Sequence, residues 1–387
     1  MSGTKWQKKL VVQGLLALFV SMSSKAYADA PAPKWYDTIG MSGYLQGSYV
    51  GNLENSSHNT GNTGRQFDTN GNTFSLNSFL LQIAKPVGDS DHYGFTVRLR
   101  TGSDASSLAG SAGEFAIQEA YATYAATSKL SIVAGRFVTS EGFEGADTVN
   151  NPNFSEGLLF WAMEPINHTG IKATYTFNDK VNAMIGVVNG WNLTTDNNSQ
   201  KTLIWQIMTM PTKQIMWSFQ GLYGNEQASP VFHADTLSLD TVLTFNPTDK
   251  LSLNGQLNWY EQSNDPNVTA LDGGTKVGTT HASGAGLWAS YATTSKFTET
   301  VRYEVISDEN GSSRFGFGPF GNEPTPGTGT NQTVQEFTLT HKTMLTSNLG
   351  TRLEFRHDWS NETPFTRDDG SSVRNQNTIS MDWFVTF

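Results

Sequence analysis

The chain alternates apolar and polar residues over many short stretches. In "KLSLNGQLNWY" two sets occupy opposite sides of an extended chain, namely Leu251, Leu253, Leu257 and Trp259 against Ser252, Asn254, Gln256 and Asn258. The C-terminal stretch "ISMDWFVTF" repeats the alternation up to Phe387. A period of two is typical of β-strands whose two faces meet different surroundings. The sequence therefore predicts an all-β protein made of many two-faced strands.

Short and long connections alternate between these strands. The short ones are turn sequences such as "GDSD" (88–91), "ATSK" (126–129), "FNDK" (177–180), "MPTK" (210–213), "NPTD" (246–249), "ATTSK" (292–296) and "LTSN" (345–348). The longer ones include 54–72, 103–114, 138–166, 262–280, 308–333 and 360–375. This regularity predicts a transmembrane antiparallel up-and-down β-barrel of about sixteen strands, with short periplasmic turns and long extracellular loops.

The polar face of the strands is charged. Its charged residues include Arg98, Arg100, Arg302, Glu304, Arg352, Glu354, Arg356 and Asp382. Isolated charges in a packed protein interior are very costly. We therefore expect the apolar face to meet lipid and the charged face to line a water-filled lumen, which a barrel of about sixteen strands is wide enough to hold.

Aromatic residues recur near the ends of the apolar face. The set that we expect at the membrane interface is Trp205, Trp217, Trp259, Trp359 and Trp383. The last strand must pair with the first, because lipid offers no water to unpaired backbone groups. A terminal alternating strand that closes on Phe387 also resembles the signal that bacterial outer-membrane proteins present to their assembly machinery.

The N-terminus predicts export. Lys5, Lys8 and Lys9 precede the apolar run "LVVQGLLALFV", and "AYA" follows at 26–28. This order is typical of a secretory signal peptide over residues 1–28, and the run is shorter than the ~17 residues of a spanning helix. Residues 29–40 then form a short periplasmic segment, and 41–387 form the barrel. The expected location is the outer membrane of a Gram-negative-type bacterium.

Composition narrows the function. The formal net charge is −10 and cysteine is absent, which argues against nucleic-acid binding and excludes disulfides. "GFGPFG" (316–321) lacks the following helix of a dinucleotide site, and His168 has no second ligand at metal spacing. No G-x-S-x-G motif occurs. We expect no cofactor, no metal and no catalysis, although distant strands could still assemble the site of a barrel enzyme.

The connection 138–166 combines acids with an apolar stretch. Its acids are Glu141, Glu144, Asp147, Glu156 and Glu164, it has no Lys or Arg, and it contains "GLLFW" (157–161). One interpretation is an extracellular loop that packs its own apolar patch on the rim. The other is a constriction loop that folds into the lumen and places acids opposite Arg98, Arg100, Arg352 and Arg356. Acids then outnumber bases in the lumen, which predicts modest cation enrichment.

Two stretches resemble the OmpL-like β-barrel porin family, namely "IVAGRFVTSEGFEG" (132–145) and "PINHTGIKATYTFNDKVNAMIGVVNGWN" (165–192). The resemblance implies a pore-forming outer-membrane barrel without cofactor or catalytic residues. We expect a porin for passive diffusion of small hydrophilic solutes and ions. The alternatives are a channel specific for sugars or anions, a non-conducting surface barrel and a barrel enzyme. Expected partners are outer-membrane lipid, lipopolysaccharide and the assembly machinery, and the sequence leaves monomer and homotrimer open.

Overall fold

The chain folds into one closed antiparallel sheet. The computed structural model describes residues 35–55, 61–109, 115–226, 235–265, 278–309 and 331–387. Strands β1 to β15 follow one another around the barrel in chain order, and β18 lies between β15 and β1. The barrel therefore has sixteen strands, and the predicted fold class is confirmed. The expected signal peptide, residues 1–28, lies outside the described residues.

The strands of the barrel are β1 (Gly40–Asn52), β2 (Thr73–Lys85), β3 (Tyr93–Thr101), β4 (Phe115–Ala125), β5 (Leu130–Val138), β6 (Asn167–Asn178), β7 (Val181–Val188), β8 (Thr202–Thr209), β9 (Ile215–Asn225), β10 (Asp235–Phe245), β11 (Leu251–Asp265), β12 (Gly278–Ala292), β13 (Phe297–Glu309), β14 (Gln332–Met344), β15 (Leu349–Ser360) and β18 (Asn375–Thr386). Two short helices, α1 (Ser103–Ala109) and α2 (Leu158–Met163), and a small hairpin, β16 (Phe365–Thr366) and β17 (Ser372–Val373), lie in connections.

The two faces of the strands differ as the alternation predicts. Outward-facing Leu257, Leu287 and Ile185 are 60%, 64% and 58% exposed, as side chains that meet lipid should be. The inward-facing neighbours of Leu257 and Leu287 in the chain, Gln256 and Trp288, are buried. Among the described residues, no helix is long and apolar enough to cross a membrane.

The alternation fails at two of the register shifts in the sheet. In β2 the pairing with β1 shifts between Gln46 and Gly47, which leaves Asn77 as an extra residue. In β4 the pairing with β3 shifts between Arg98 and Leu99 and leaves Gln118 extra. A bulge turns two successive side chains toward the same face. Both shifts lie in or beside the strands whose sequence patterns, near Ser42 and Gln118, are weak.

The last residue is fixed at the seam of the barrel. The amide of Gly43 donates to the carbonyl of Phe387 at 2.9 Å, and the amide of Phe387 donates back at 3.0 Å. The ring of Phe387 covers Gly43, where an added Cβ would come within 2.8 Å of it. The same ring stacks on Phe79 with centroids 6.2 Å apart. The terminal aromatic side chain is thus part of the closing contact between β18, β1 and β2.

Replacement of Phe387 by Ala should destabilise the closed barrel. The variant loses the contacts with Gly43 and Phe79, which are worth about 1–3 kcal/mol of unfolding free energy. We expect less heat-modifiable barrel in the outer membrane at equal total synthesis. Phe177→Ala is the matched control, because Phe177 is also an outward aromatic side chain beside a short turn, 52% exposed, but far from the seam. Equal loss in both variants would contradict a special role for the seam.

Candidate functional site

The connection between β5 and β6 lies inside the barrel. We call residues 139–166 the inner loop. It starts and ends side by side on the wall, because the amide of Thr139 donates to the carbonyl of Ile166 at 3.0 Å. From there it crosses the lumen: the amide of Gly142 donates to Asp240 of β10 at 3.1 Å, and the side chain of Asn153 donates to Thr340 of β14 at 2.7 Å.

An apolar cluster anchors the inner loop. All six residues of α2 are buried, and Leu158 and Leu159 are each 1% exposed. They belong to a cluster with inward-facing wall residues that include Met184, Ile204, Leu222, Tyr260, Trp288, Ile306 and Val334. Phe365 of the β16–β17 hairpin belongs to the same cluster. Burial of one large apolar side chain contributes about 1.5–3 kcal/mol, so this cluster favours a fixed loop inside the lumen.

Arg352 of β15 holds the turn of the inner loop at Thr148–Asn150. Its guanidinium donates to the carbonyls of Thr148 at 2.8 Å, of Asn151 at 3.1 Å and of Asn153 at 2.7 Å. On its other side it forms an ion pair with Asp382 of β18 at 2.7 Å. A guanidinium has five N–H donors, and here they join the wall to the backbone of the loop.

Glu354, two residues further along β15, receives the next segment. Its carboxylate accepts the amides of Phe154 at 2.7 Å and Ser155 at 3.0 Å. It also accepts the hydroxyls of Ser155 at 2.6 Å and Thr340 at 2.7 Å. Four donors satisfy the buried carboxylate, which removes most of the cost of burying it.

Arg302 of β13 joins an acid of the loop to an acid of the wall. It contacts Glu144 at 2.7 Å and Glu336 of β14 at 2.9 Å, and these side chains are almost fully buried. It also donates to the carbonyl of Ser155 at 2.6 Å. Next to it, Glu304 accepts the amide of Leu159 in the first turn of α2 at 3.2 Å.

Asp147 pairs with the two arginines of β3. It contacts Arg98, and it contacts Arg100 at 2.8 Å. Burial by itself raises the pKa of Asp147, but the two guanidinium groups outweigh burial and lower it to about 2. The carboxylate is therefore ionised at neutral pH. The side chain of Asp147 is 15% exposed, and that of Arg98 is 14% exposed.

The other acids of the inner loop are buried. Glu141 accepts the hydroxyl of Ser238 at 2.6 Å, and Glu164 accepts the amide of Gln256 at 2.5 Å. Burial, with Asp240 adding to it, raises the pKa of Glu164 well above its ordinary value. Burial also raises that of Glu156, with a further contribution from Glu144. Both shifts favour the neutral form of the acid.

The structure brings together most of the residues singled out in the sequence, but in different surroundings from those expected. Arg100, Arg302, Arg352 and Arg356 are each 0% exposed. The inner loop covers them, so they do not line an open, water-filled gap. Only Asp147 meets the expected arginines, Arg98 and Arg100, whereas Glu144 pairs with Arg302. Arg356 donates to the carbonyl of Glu156 at 2.5 Å and not to its carboxylate.

Sequence reasoning missed several residues that contact or flank the inner loop. Trp288 donates to Glu144 at 3.2 Å, and Tyr44 accepts from Arg100 at 2.6 Å. Lys172 faces inward on β6, with its ammonium 4.2 Å from the ring centroid of Phe137. The alternation in "GIKATYTF" could have placed Lys172 on the inner wall. The partners of Trp288 and Tyr44 come from distant parts of the chain, which no local pattern reveals.

The outward aromatic side chains lie on the face that was expected. Trp217, Trp259, Trp383 and Phe387 are 42%, 40%, 41% and 55% exposed. Trp205 and Trp359 are half-buried on the same face. Among the described residues, no group of three or more His, Cys, Asp or Glu side chains is arranged to hold a metal ion.

A closed antiparallel barrel of sixteen strands with a loop in its lumen is the fold of an outer-membrane porin. The model of the family described as "Putative beta-barrel porin-2, OmpL-like" matches residues 38–387. The chain therefore belongs to the OmpL-like β-barrel porin family, as its two resembling stretches predict. No curated protein sequence matches it significantly.

Solved structures of outer-membrane proteins share the fold at low sequence identity. An anion-selective porin from Comamonas acidovorans has a TM-score of 0.59 and 10% identity, with 90% of this chain and 99% of that chain covered. The channel DcaP of Acinetobacter baumannii has a TM-score of 0.58 and 11% identity, with 90% of this chain and 97% of that chain covered. OmpT of Vibrio cholerae in a trimer form has a TM-score of 0.58 and 11% identity, with 90% of this chain and 99% of that chain covered.

Arg302→Ala should destabilise the inner loop strongly. The variant leaves the buried carboxylate of Glu144 without its cation, a change that costs about 3–5 kcal/mol. It leaves Glu336 with Arg356 alone, at 3.5 Å. We expect a lower midpoint of thermal unfolding in detergent and faster protease cleavage within 139–166. Arg367→Ala is the matched control, because Arg367 is exposed at the tip of the β16–β17 hairpin. Unchanged midpoints for both variants would show that the network around Arg302 does not hold the loop.

Proposed function

We propose that the protein is a general porin that lets small hydrophilic solutes and ions diffuse passively across the outer membrane. The inner loop narrows the passage. The observation that carries this proposal is the position of the inner loop across a sixteen-strand barrel, bound to β10, β13, β14 and β15. Membership of a porin family supports the same function.

The remaining passage runs beside the wall of β3 to β6. There the inward-facing Thr96, Arg98, Tyr121, Thr123 and Lys172 keep partial solvent exposure. On the opposite wall, inward residues such as Arg302, Glu336 and Arg356 are 0% exposed beneath the inner loop. We infer that solutes pass along the β3–β6 side and that the inner loop forms the other side of the constriction.

The proposal extends to location and assembly. Export by residues 1–28, insertion by the assembly machinery and contact with lipid and lipopolysaccharide fit a porin that closes on an aromatic C-terminal residue. The outward tryptophans would then anchor the barrel at the two membrane interfaces. A homotrimer is the assembly that we propose, with support from a neighbour whose structure is a trimer form. No reaction is proposed, since the family is one of porins.

Removal of the inner loop should raise the single-channel conductance severalfold. The ends of the loop meet at Thr139 and Ile166, so a short Gly/Ser linker can replace 141–164 without opening the wall. Conductance of the purified protein in planar bilayers is the measurement. The matched control replaces residues 367–371, the exposed tip of the β16–β17 hairpin, with a linker.

We expect the control to conduct like the wild type, because the hairpin tip is not part of the proposed constriction. If the loop variant folds and its conductance equals that of the wild type, the inner loop does not limit the passage. If the wild type itself forms no channels in bilayers, the porin function is wrong.

A further inference from the structure

The acids of the lumen are hidden from the passage. The described inward-facing acids of the strands, Glu119, Asp240, Glu304, Asp308, Glu336, Glu354, Asp358 and Asp382, are at most 6% exposed. Glu141, Glu144, Glu156 and Glu164 of the inner loop are also buried. The cation enrichment expected from the sequence assumes that these acids are exposed to solutes. Because they are buried, that assumption does not hold.

Several of these acids are also compensated by arginines. Arg302 pairs with Glu144 and Glu336, Arg352 pairs with Asp382, and Arg356 pairs with Asp358. A close ion pair acts on a distant solute as a dipole, whose field decays faster than that of a single charge. The raised pKa values of Glu156 and Glu164 act in the same direction, because they favour the uncharged form of each acid.

Two inward lysines differ from the acids, because they are partly exposed and have no ion-pair partner among the described residues. Lys172 on β6 and Lys342 on β14 are half-buried and keep contact with solvent. Among the described residues, neither lysine has an ion-pair partner. The ammonium of Lys172 lies over the ring of Phe137 at 4.2 Å, and that of Lys342 lies over the ring of Phe384 at 5.2 Å. An aromatic ring attracts a cation but carries no net charge, so it leaves the positive charge uncompensated.

Lys172 lies in the wall of the proposed passage. It pairs with Val133 of β5, and Val133 pairs with Thr123 of β4. Both neighbours are partly exposed on the same inner face. The partly exposed acid of the inner loop that reaches this wall, Asp147, is bound by Arg98 and Arg100 of β3. A solute that moves along β3–β6 therefore meets the ammonium of Lys172 as the nearest uncompensated charge.

We propose that the passage prefers anions and that Lys172, with a contribution from Lys342, sets this preference. The solutes that it favours are small inorganic anions and small organic anions that carry a carboxylate or phosphate group. The inference rests on the proposed porin function and adds the class of solute. The preference for anions should be moderate in size, because charges that face water are screened within ~8 Å at physiological salt.

The test is the reversal potential of the purified full chain in planar bilayers across a KCl gradient. We expect the wild type to pass chloride faster than potassium. Lys172→Gln should lower the chloride-to-potassium permeability ratio by about twofold. A unit charge acting through water over roughly 10 Å changes the chloride and potassium terms about twofold each in opposite directions, and screening by salt reduces the combined effect. Lys342→Gln should lower the ratio by less, because Lys342 lies on β14, outside the β3–β6 wall. Lys172→Arg should keep the ratio. The matched control is Lys250→Gln, since Lys250 is exposed in the short turn before β11.

The outcomes separate the two proposals. Wild-type channels that prefer potassium, or that show no preference, overturn the anion inference and leave the porin function standing. A double variant, Lys172→Gln with Lys342→Gln, that folds and keeps the wild-type chloride-to-potassium permeability ratio also overturns the anion inference. Absence of channels in the wild type overturns the porin function as well. The sign of the wild-type reversal potential needs no variant, so a variant that fails to fold does not affect the test.

Discussion

The structure depends on the compensation of buried charge inside a barrel. The inner wall carries guanidinium and carboxylate groups that the inner loop covers, and each such group needs a partner once water is removed. Arg352 finds three loop carbonyls, and Glu354 finds two loop amides. These contacts specify one position for the loop, and the buried α2 packs against the wall in that position. Charge thus gives the loop its register, and apolar burial holds it in the lumen.

Much of the fold could be predicted because a barrel strand repeats a simple local rule. Alternation and turn chemistry indicate the strand count, and the apolar Leu158 and Trp161 in an otherwise polar loop indicate a buried anchor. The rule fails at Asn77 and Gln118, because a bulge changes the face of a side chain without a marked change in residue type. Pattern alone cannot reveal which strand receives the extra residue.

The site could be predicted only in part. Alternation indicates that Arg302 and Arg352 face the lumen, but it does not indicate what lies opposite them. That depends on the path of the inner loop, which brings Glu144 to Arg302 across 158 positions of sequence. Exposure is equally non-local: Lys172 and Glu304 both face inward, and only the packing of the loop decides which one meets solvent.

The seam at Gly43 and Phe387 has a consequence for biogenesis. Strand β1 pairs with β18, so the free edge of β1 stays unpaired until β18 has been made. An unpaired strand edge is a template for pairing with other chains, and contacts between distant residues form slowly. The architecture therefore imposes a period in which the unclosed chain must be kept from aggregating.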